Sequence, residues 1–127
     1  MSSQLTPDAA DSPLGWINHL RLNVNDIQRA QEFYLPLMRF MGYELHDCKP
    51  HRLSWARRSR SGVFWFILTA AREDPPPIEH DLFSPGFHHL AWNADSRARV
   101  DELYCLLLKM NATVLDPPAE YDYQPGY

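Results

Sequence analysis

Residues 19–24, His-Leu-Arg-Leu-Asn-Val, alternate strictly: Leu20, Leu22 and Val24 share one parity, while His19, Arg21 and Asn23 share the other. Successive side chains of a strand point to opposite faces, so this stretch predicts a strand with one apolar face under a helix and one polar face carrying functional groups. The helix follows at once. Asn25 or Asp26 can cap its free amides, and Ile27, Ala30, Phe33, Tyr34, Leu37, Met38 and Met41 recur at spacings of three and four. Pro36 lies inside that stripe, where it removes a ladder hydrogen bond and is expected to kink the helix or split it near Tyr34-Leu35. Gly42 then supplies a left-handed stop.

Three further strands are expected at Tyr43–Asp47, Arg52–Arg57 and Val63–Thr69, separated by Lys49-Pro50 and Ser59-Arg60-Ser61-Gly62, both of turn composition. The last of them is apolar on both parities and is expected to be buried on both sides, with Val63, Trp65, Ile67 and Thr69 on one face. Residues 71–86 carry too many prolines for a regular element and read as a semi-rigid link.

Beyond the link the pattern starts again. Phe87-His88-His89-Leu90-Ala91-Trp92-Asn93-Ala94 repeats Ile17-Asn18-His19-Leu20-Arg21-Leu22-Asn23-Val24, with His19 and His89 70 positions apart. The same offset matches Glu32 with Glu102, Tyr34 with Tyr104, Leu37 with Leu107 and Leu45 with Leu115. The second copy predicts a strand with Phe87, His89, Ala91 and Asn93 on its polar face, and His88 turned the other way, toward the helix layer. A helix should run from Asp95 or Ser96 to about Met110, burying Val100, Leu103, Tyr104, Leu107 and Leu108, with Asn111 as its terminal residue. A further strand is expected to open at Thr113–Leu115, with Pro117-Pro118 ending it. The expected organisation is a leader at 1–14, then one domain over 15–127: module one at 15–70, linker at 71–86, and an incomplete module two at 87–127. Modules this short should share one core.

Composition narrows the function classes. At 45% hydrophobic and 22% charged, with a net charge of −4 and no long basic run, the chain suits neither a nucleic-acid nor a membrane partner. Arg57-Arg58-Ser59-Arg60 reads as a solvated hairpin tip. Cys48 and Cys105 lack knuckle or scaffold spacing, which fits a reducing compartment, and residues 1–13 lack the pattern of a signal peptide, so the cytoplasm is the expected location.

A repeated strand–helix–three-strand module with a histidine opening each first strand resembles the vicinal oxygen chelate superfamily of glyoxalase I, extradiol dioxygenases, fosfomycin-resistance enzymes and bleomycin-binding proteins. The residues carrying the likeness are His19 through Asp26, Ala30-Gln31-Glu32-Phe33-Tyr34, Leu37, Gly42-Tyr43-Glu44, Pro85-Gly86-Phe87-His88-His89-Leu90-Ala91 and Ala112 through Tyr121. The resemblance implies an α+β fold of tandem βαβββ modules that form an open half-barrel cup, the second module being truncated here. It also implies a divalent metal (Fe, Mn, Ni or Zn) with His19 and His89 as ligands. The position of a family carboxylate, in the last strand of module one, is occupied by Ile67, and the last strand of module two would fall beyond Tyr127. Metal binding in this form is therefore expected to be weak.

Two function classes stay open, from different chemistries. In the first, the chain is a metal-dependent dioxygenase or lyase acting on a small molecule that chelates through vicinal oxygens, with Arg21, Asn23, Trp65 and Asn93 as substrate contacts. In the second, the same cup binds a flat or anionic small molecule without metal, as bleomycin-resistance proteins do, or the chain is a truncated, inactive copy. A homodimer is expected in either case, because the short second module leaves an apolar flank and a strand edge uncovered.

Overall fold

The computed structural model describes residues 12–76, 78–123 and 125. Most of the leader expected at residues 1–14 lies outside the described residues. The chain divides into two units, residues 1–77 and 78–127, and each is taken by itself.

The first unit is a four-stranded open sheet with one helix. Its elements are β1 (His19–Val24), α1 (Ile27–Phe40), β2 (Glu44–Lys49), β3 (Arg52–Ser59) and β4 (Gly62–Ala70), with sheet order β1-β4-β3-β2. β4 pairs parallel with β1 and antiparallel with β3, so β4 and β3 form the centre of the sheet. Side chains in register share a face. One face therefore carries Leu20 and Leu22 beside Phe66 and Leu68, then Trp55 and Leu53. Leu37 and Met38 of α1 are buried in the same core, and the Tyr34 ring lies 5.3 Å from Phe66 and 6.4 Å from Trp55. Burial pushes the Tyr34 phenol above its usual pKa, so it stays neutral in this apolar setting.

Local chemistry fixes the ends of α1. The Asp26 carboxylate accepts from the Arg29 amide at 3.1 Å with Asp26 in extended backbone (φ −133°), an N-cap. At the other end Gly42 sits at φ 80°, Gly42 N–H donates to Arg39 O and Tyr43 N–H donates to Met38 O, a Schellman closure. Pro36 does not split the helix as expected, since Ile27–Phe40 is continuous. The turns on both sides of it are held by side chains seated on the sheet, Tyr34 on one side and Leu37 and Met38 on the other. Removing the cap with Asp26→Ala should cost about 1 kcal/mol. Urea unfolding followed by circular dichroism would show this as a lower midpoint; an unchanged midpoint would mean the cap is dispensable.

The second unit holds α2 (Arg97–Lys109), capped by the Ser96 hydroxyl on the Arg99 amide at 3.2 Å. Its C-terminus repeats the closure of α1: Asn111 at φ 54°, Asn111 N–H to Leu108 O and Ala112 N–H to Leu107 O. α2 has 13 residues against 14 in α1, so the two left-handed residues, Gly42 and Asn111, lie 69 apart rather than 70. The expected strands at 87–94 and 113–115 are not formed among the described residues. In the first unit β1 is held by β4, whereas residues 87–94 pair with no strand among the described residues. A β-strand exists through its ladder, and among the described residues this segment has none. The alternation survives in part: Leu90 and Trp92 are half-buried while His89, Ala91 and Asn93 are exposed.

The apolar stripe of α2 is likewise less covered than expected. None of its residues is fully buried; Leu103, Tyr104 and Leu107 are half-buried, and Val100 and Leu108 are exposed at 40% and 51%.

Candidate functional site

The face of the sheet opposite α1 is a grid read directly from strand register. Its first row is His19, Trp65, Ala56 and Glu44; its second is Arg21, Ile67, Ser54 and Asp47; its third is Asn23, Thr69, Arg52 and Lys49. Thus His19, Arg21 and Asn23 share one face, as the parity of β1 predicts, and the register adds Trp65 to it. Asp47 reaches this face through an irregularity. The register of β2 slips between Leu45 and Asp47, leaving His46 as an extra residue and turning Asp47 toward Ser54.

The third row and its neighbours form a polar network. Thr69 Oγ1 donates to Asn23 Oδ1 at 2.6 Å, Arg21 Nε donates to Thr69 Oγ1 at 3.4 Å, and Ser54 Oγ donates to Asp47 Oδ2 at 3.1 Å. Arg52 Nε lies 3.5 Å from Asp47 Oδ2, an ion pair without hydrogen-bond alignment, and Lys49 Nζ lies 3.9 Å from Asp47 Oδ1. Asp47 is therefore neutralised locally. Arg21 has no carboxylate partner among the described residues, and its side chain is exposed.

The first row is aromatic. The Trp65 indole is half-buried, pairs in register with His19, and meets the His46 ring edge-on at 4.8 Å, across the small side chain of Ala56. His46 is a site residue that sequence reading missed. The sign available was Asp47, a charged residue on the apolar parity of Tyr43 and Leu45, which marks the slip that places His46 beside Trp65.

The other expected site residues lie in the second unit. Asn93 lines a groove of about 840 Å³ whose walls include Trp92, Leu103, Tyr104 and Leu107. His89 is exposed beside His88, with their Nδ1 atoms 2.7 Å apart. This corrects the expectation that His88 points to the helix layer: without a ladder, residues 87–90 need not alternate.

The architecture of the first unit is a half-barrel-like sheet opened by a histidine-bearing strand, and the profile of the Glyoxalase/Bleomycin resistance protein/Dioxygenase superfamily matches residues 16–127. The chain belongs to this superfamily. Among its relatives, YqjT, an uncharacterized protein of Bacillus subtilis strain 168, is 25% identical over 87 residues, which span 68% of this chain and 65% of YqjT. The match thus spans less than two thirds of that relative. A crystal structure of a candidate glyoxalase from Bacillus halodurans superposes with a TM-score of 0.72 at 22% identity, covering 80% of this chain and 74% of the other. SMU.1112c superposes at 0.55 with 20% identity, covering 89% and 86%. At such identities these structures speak for the fold alone.

Superfamily members often hold a divalent metal, so the donor set here is a direct test of fit. Among the described residues no three His, Cys, Asp or Glu side chains gather. In the first unit Ile67 faces the open side next to Arg21, where the resemblance calls for a carboxylate, and a hydrocarbon donates nothing to a metal. His19 Nδ1 pairs with Asn18 Oδ1 at 2.8 Å, a contact that does not involve Nε2. Ile67 thus sets the first unit apart from the family's ligand pattern.

Proposed function

We propose that this glyoxalase-superfamily domain binds a flat, anionic small molecule on the open face of the first unit's sheet, without a metal in between. The observation that carries this reading is Arg21, an exposed guanidinium without a carboxylate partner among the described residues, two positions along β1 from the row that holds the Trp65 indole. A guanidinium offers a planar donor fork suited to carboxylate, and an indole offers a large rigid surface for a ring. Ile67, between them on β4, adds apolar contact, and Asn23 and Thr69 hold Arg21 in place. His46 bounds the far edge of Trp65. Asn93, which lines the second unit's own groove, is proposed as a polar contact for a ligand there.

Fluorescence titration with planar aromatic carboxylates and their amides tests this. Binding should quench Trp65, and the quench should vanish in Trp65→Phe. Arg21→Ala should weaken carboxylate binding about tenfold or more, roughly 1.4 kcal/mol, and Arg21→Lys should restore only part of it. Equal affinity for the amides, or full affinity in Arg21→Ala, would sink the proposal.

The metal-dependent reading, with His19 and His89 holding Fe, Mn, Ni or Zn for a dioxygenase or lyase reaction, draws its support from family membership. Elemental analysis of the purified protein separates the two, since stoichiometric metal would favour the enzyme. A cytoplasmic location is proposed from the two free, exposed cysteines. Among the described residues no helix is long and apolar enough to cross a membrane. A homodimer is proposed from the uncovered face of α2.

A further inference from the structure

Arg57-Arg58-Ser59-Arg60 is not the hairpin tip that its composition suggests. Only Arg60 lies in the turn, while Arg57 and Arg58 are residues of β3, in register with Phe64 and Val63. Strand parity separates the two. Arg57 faces the α1 side, where its guanidinium donates to Met41 O at the end of that helix. Arg58 shares the parity of Ala56 and Ser54, which puts it on the open face in a row with Val63, one row before that of Trp65.

The open face thus carries a half-buried apolar spine on β4, Val63, Trp65 and Ile67, with one arginine at each end and on opposite sides: Arg21 beside Ile67 on β1, and Arg58 beside Val63 on β3. Trp65 is the midpoint, one strand and one row from each. With strands about 4.8 Å apart and about 3.3 Å per residue, each arginine Cα lies about 8 Å from that of Trp65, and the two lie about 16 Å apart. Both side chains are exposed, and neither has an ion pair among the described residues. The other charges of the face do not occupy them. Asp47 lies between Arg52 and Lys49, and Glu44, on β2 diagonal to Arg58, makes no ion pair with it.

We infer, building on the anion-binding reading of this face given above, that its ligand is an elongated dianion: a flat ring system with a carboxylate at each end, one on Arg21 and the other on Arg58, and its middle on Trp65. Arg58 adds a second anchor, and the spacing adds a length. Arg21 leans toward Thr69, which is two rows from Trp65, so its guanidinium is drawn away from the indole and not over it. One aromatic ring bearing two carboxylates is too short to span the two arginines, whereas two linked rings reach farther along the spine. Each guanidinium offers a planar donor fork to a carboxylate, and the hydrocarbon of Val63 and Ile67 disfavours a charged group in the middle of the ligand.

Calorimetry of the full chain with biphenyl-4,4′-dicarboxylate, biphenyl-4-carboxylate, terephthalate and benzoate is the test. The biphenyl diacid is expected to bind about tenfold tighter than the biphenyl monoacid, and terephthalate no tighter than benzoate beyond the twofold gain of having two equivalent ends. In Arg58→Ala the biphenyl diacid should fall to the affinity of the monoacid, whose own affinity stays unchanged. Arg58→Lys should restore part of the gain, and Arg60→Ala, in the turn, should change nothing. Circular dichroism checks that the variants fold. Equal binding of biphenyl diacid and monoacid by the wild-type chain, or a loss in Arg58→Ala that is the same for both, overturns the second anchor and leaves the site at Arg21 and Trp65 standing. A gain for terephthalate as large as that for the biphenyl diacid overturns the length. Failure of monoacid and diacid alike to bind overturns the anion-binding reading of the face and the dianion with it.

Discussion

Replacing Phe66 with alanine is expected to destabilise the first unit by about 3–5 kcal/mol, enough to unfold it or leave it barely folded at 37 °C. Phe66 has no solvent exposure and lies on β4, a central strand, with Leu20 and Trp55 as its register neighbours. Its ring packs 5.3 Å from Tyr34 and 6.0 Å from Trp55, so truncation opens a cavity that three elements border. Strands on both sides of β4 are hydrogen-bonded to it, and they cannot collapse into the void without breaking ladder bonds. Phe66→Leu should recover more than half of the loss because it refills most of the volume. Guanidinium unfolding monitored by far-ultraviolet circular dichroism is the measurement. A loss below about 1 kcal/mol would mean that the core is centred elsewhere. β4 also carries Trp65 on its other face, so Phe66→Ala should abolish small-molecule binding along with the fold, whereas Arg21→Ala should weaken binding alone.

How far the site could be read in advance differs from element to element. The face of β1 was legible because strict alternation leaves one solution once Leu20, Leu22 and Val24 must be covered. The helix ends were legible to within a residue: the caps lay among Asn25 or Asp26 and Asp95 or Ser96, of which the structure uses Asp26 and Ser96, and Gly42 and Asn111 are the left-handed stops. The parity of β4 grouped Trp65 with Ile67 and Thr69, but that this face is the one carrying His19 comes only from the strand register. Three things were not read in advance, each for its own reason. The bulge at His46 was missed although the sequence marks it, because Asp47 falls on the apolar parity of Tyr43 and Leu45, and the slip re-aims Asp47 into the Ser54 and Arg52 network. The first strand of the second copy finds no ladder partner among the described residues, so a good strand sequence at 87–94 forms no strand. The meeting of His88 with His89 follows from that loss, since only a ladder forces neighbours to opposite faces.

Copies of the chain are expected to associate through the second unit, and α2 carries the argument. α1 and α2 descend from one pattern, with Leu37 matched by Leu107 and Tyr34 by Tyr104. In α1 that stripe lies on a sheet and Leu37 is buried at 6% exposure, whereas α2 has no fully buried residue. Val100, Leu103, Tyr104 and Leu107 instead line an open groove of about 840 Å³ with Val114. Leu108 and Leu115 stand out to solvent at 51% and 88%. Covering one leucine side chain is worth about 1.5–3 kcal/mol, and several contiguous apolar residues make self-contact favourable at micromolar concentrations. Light scattering across a concentration series should show a monomer–dimer equilibrium. Leu103→Glu with Leu107→Glu should shift the dissociation constant upward at least a hundredfold, because two charges would enter the contact and two leucines leave it. These positions are half-buried, so circular dichroism must first show that α2 persists in the variant. Wild-type protein that stays monomeric at every concentration, or a double variant that dimerises unchanged, would show that α2 is covered from within its own chain and that copies do not meet through it.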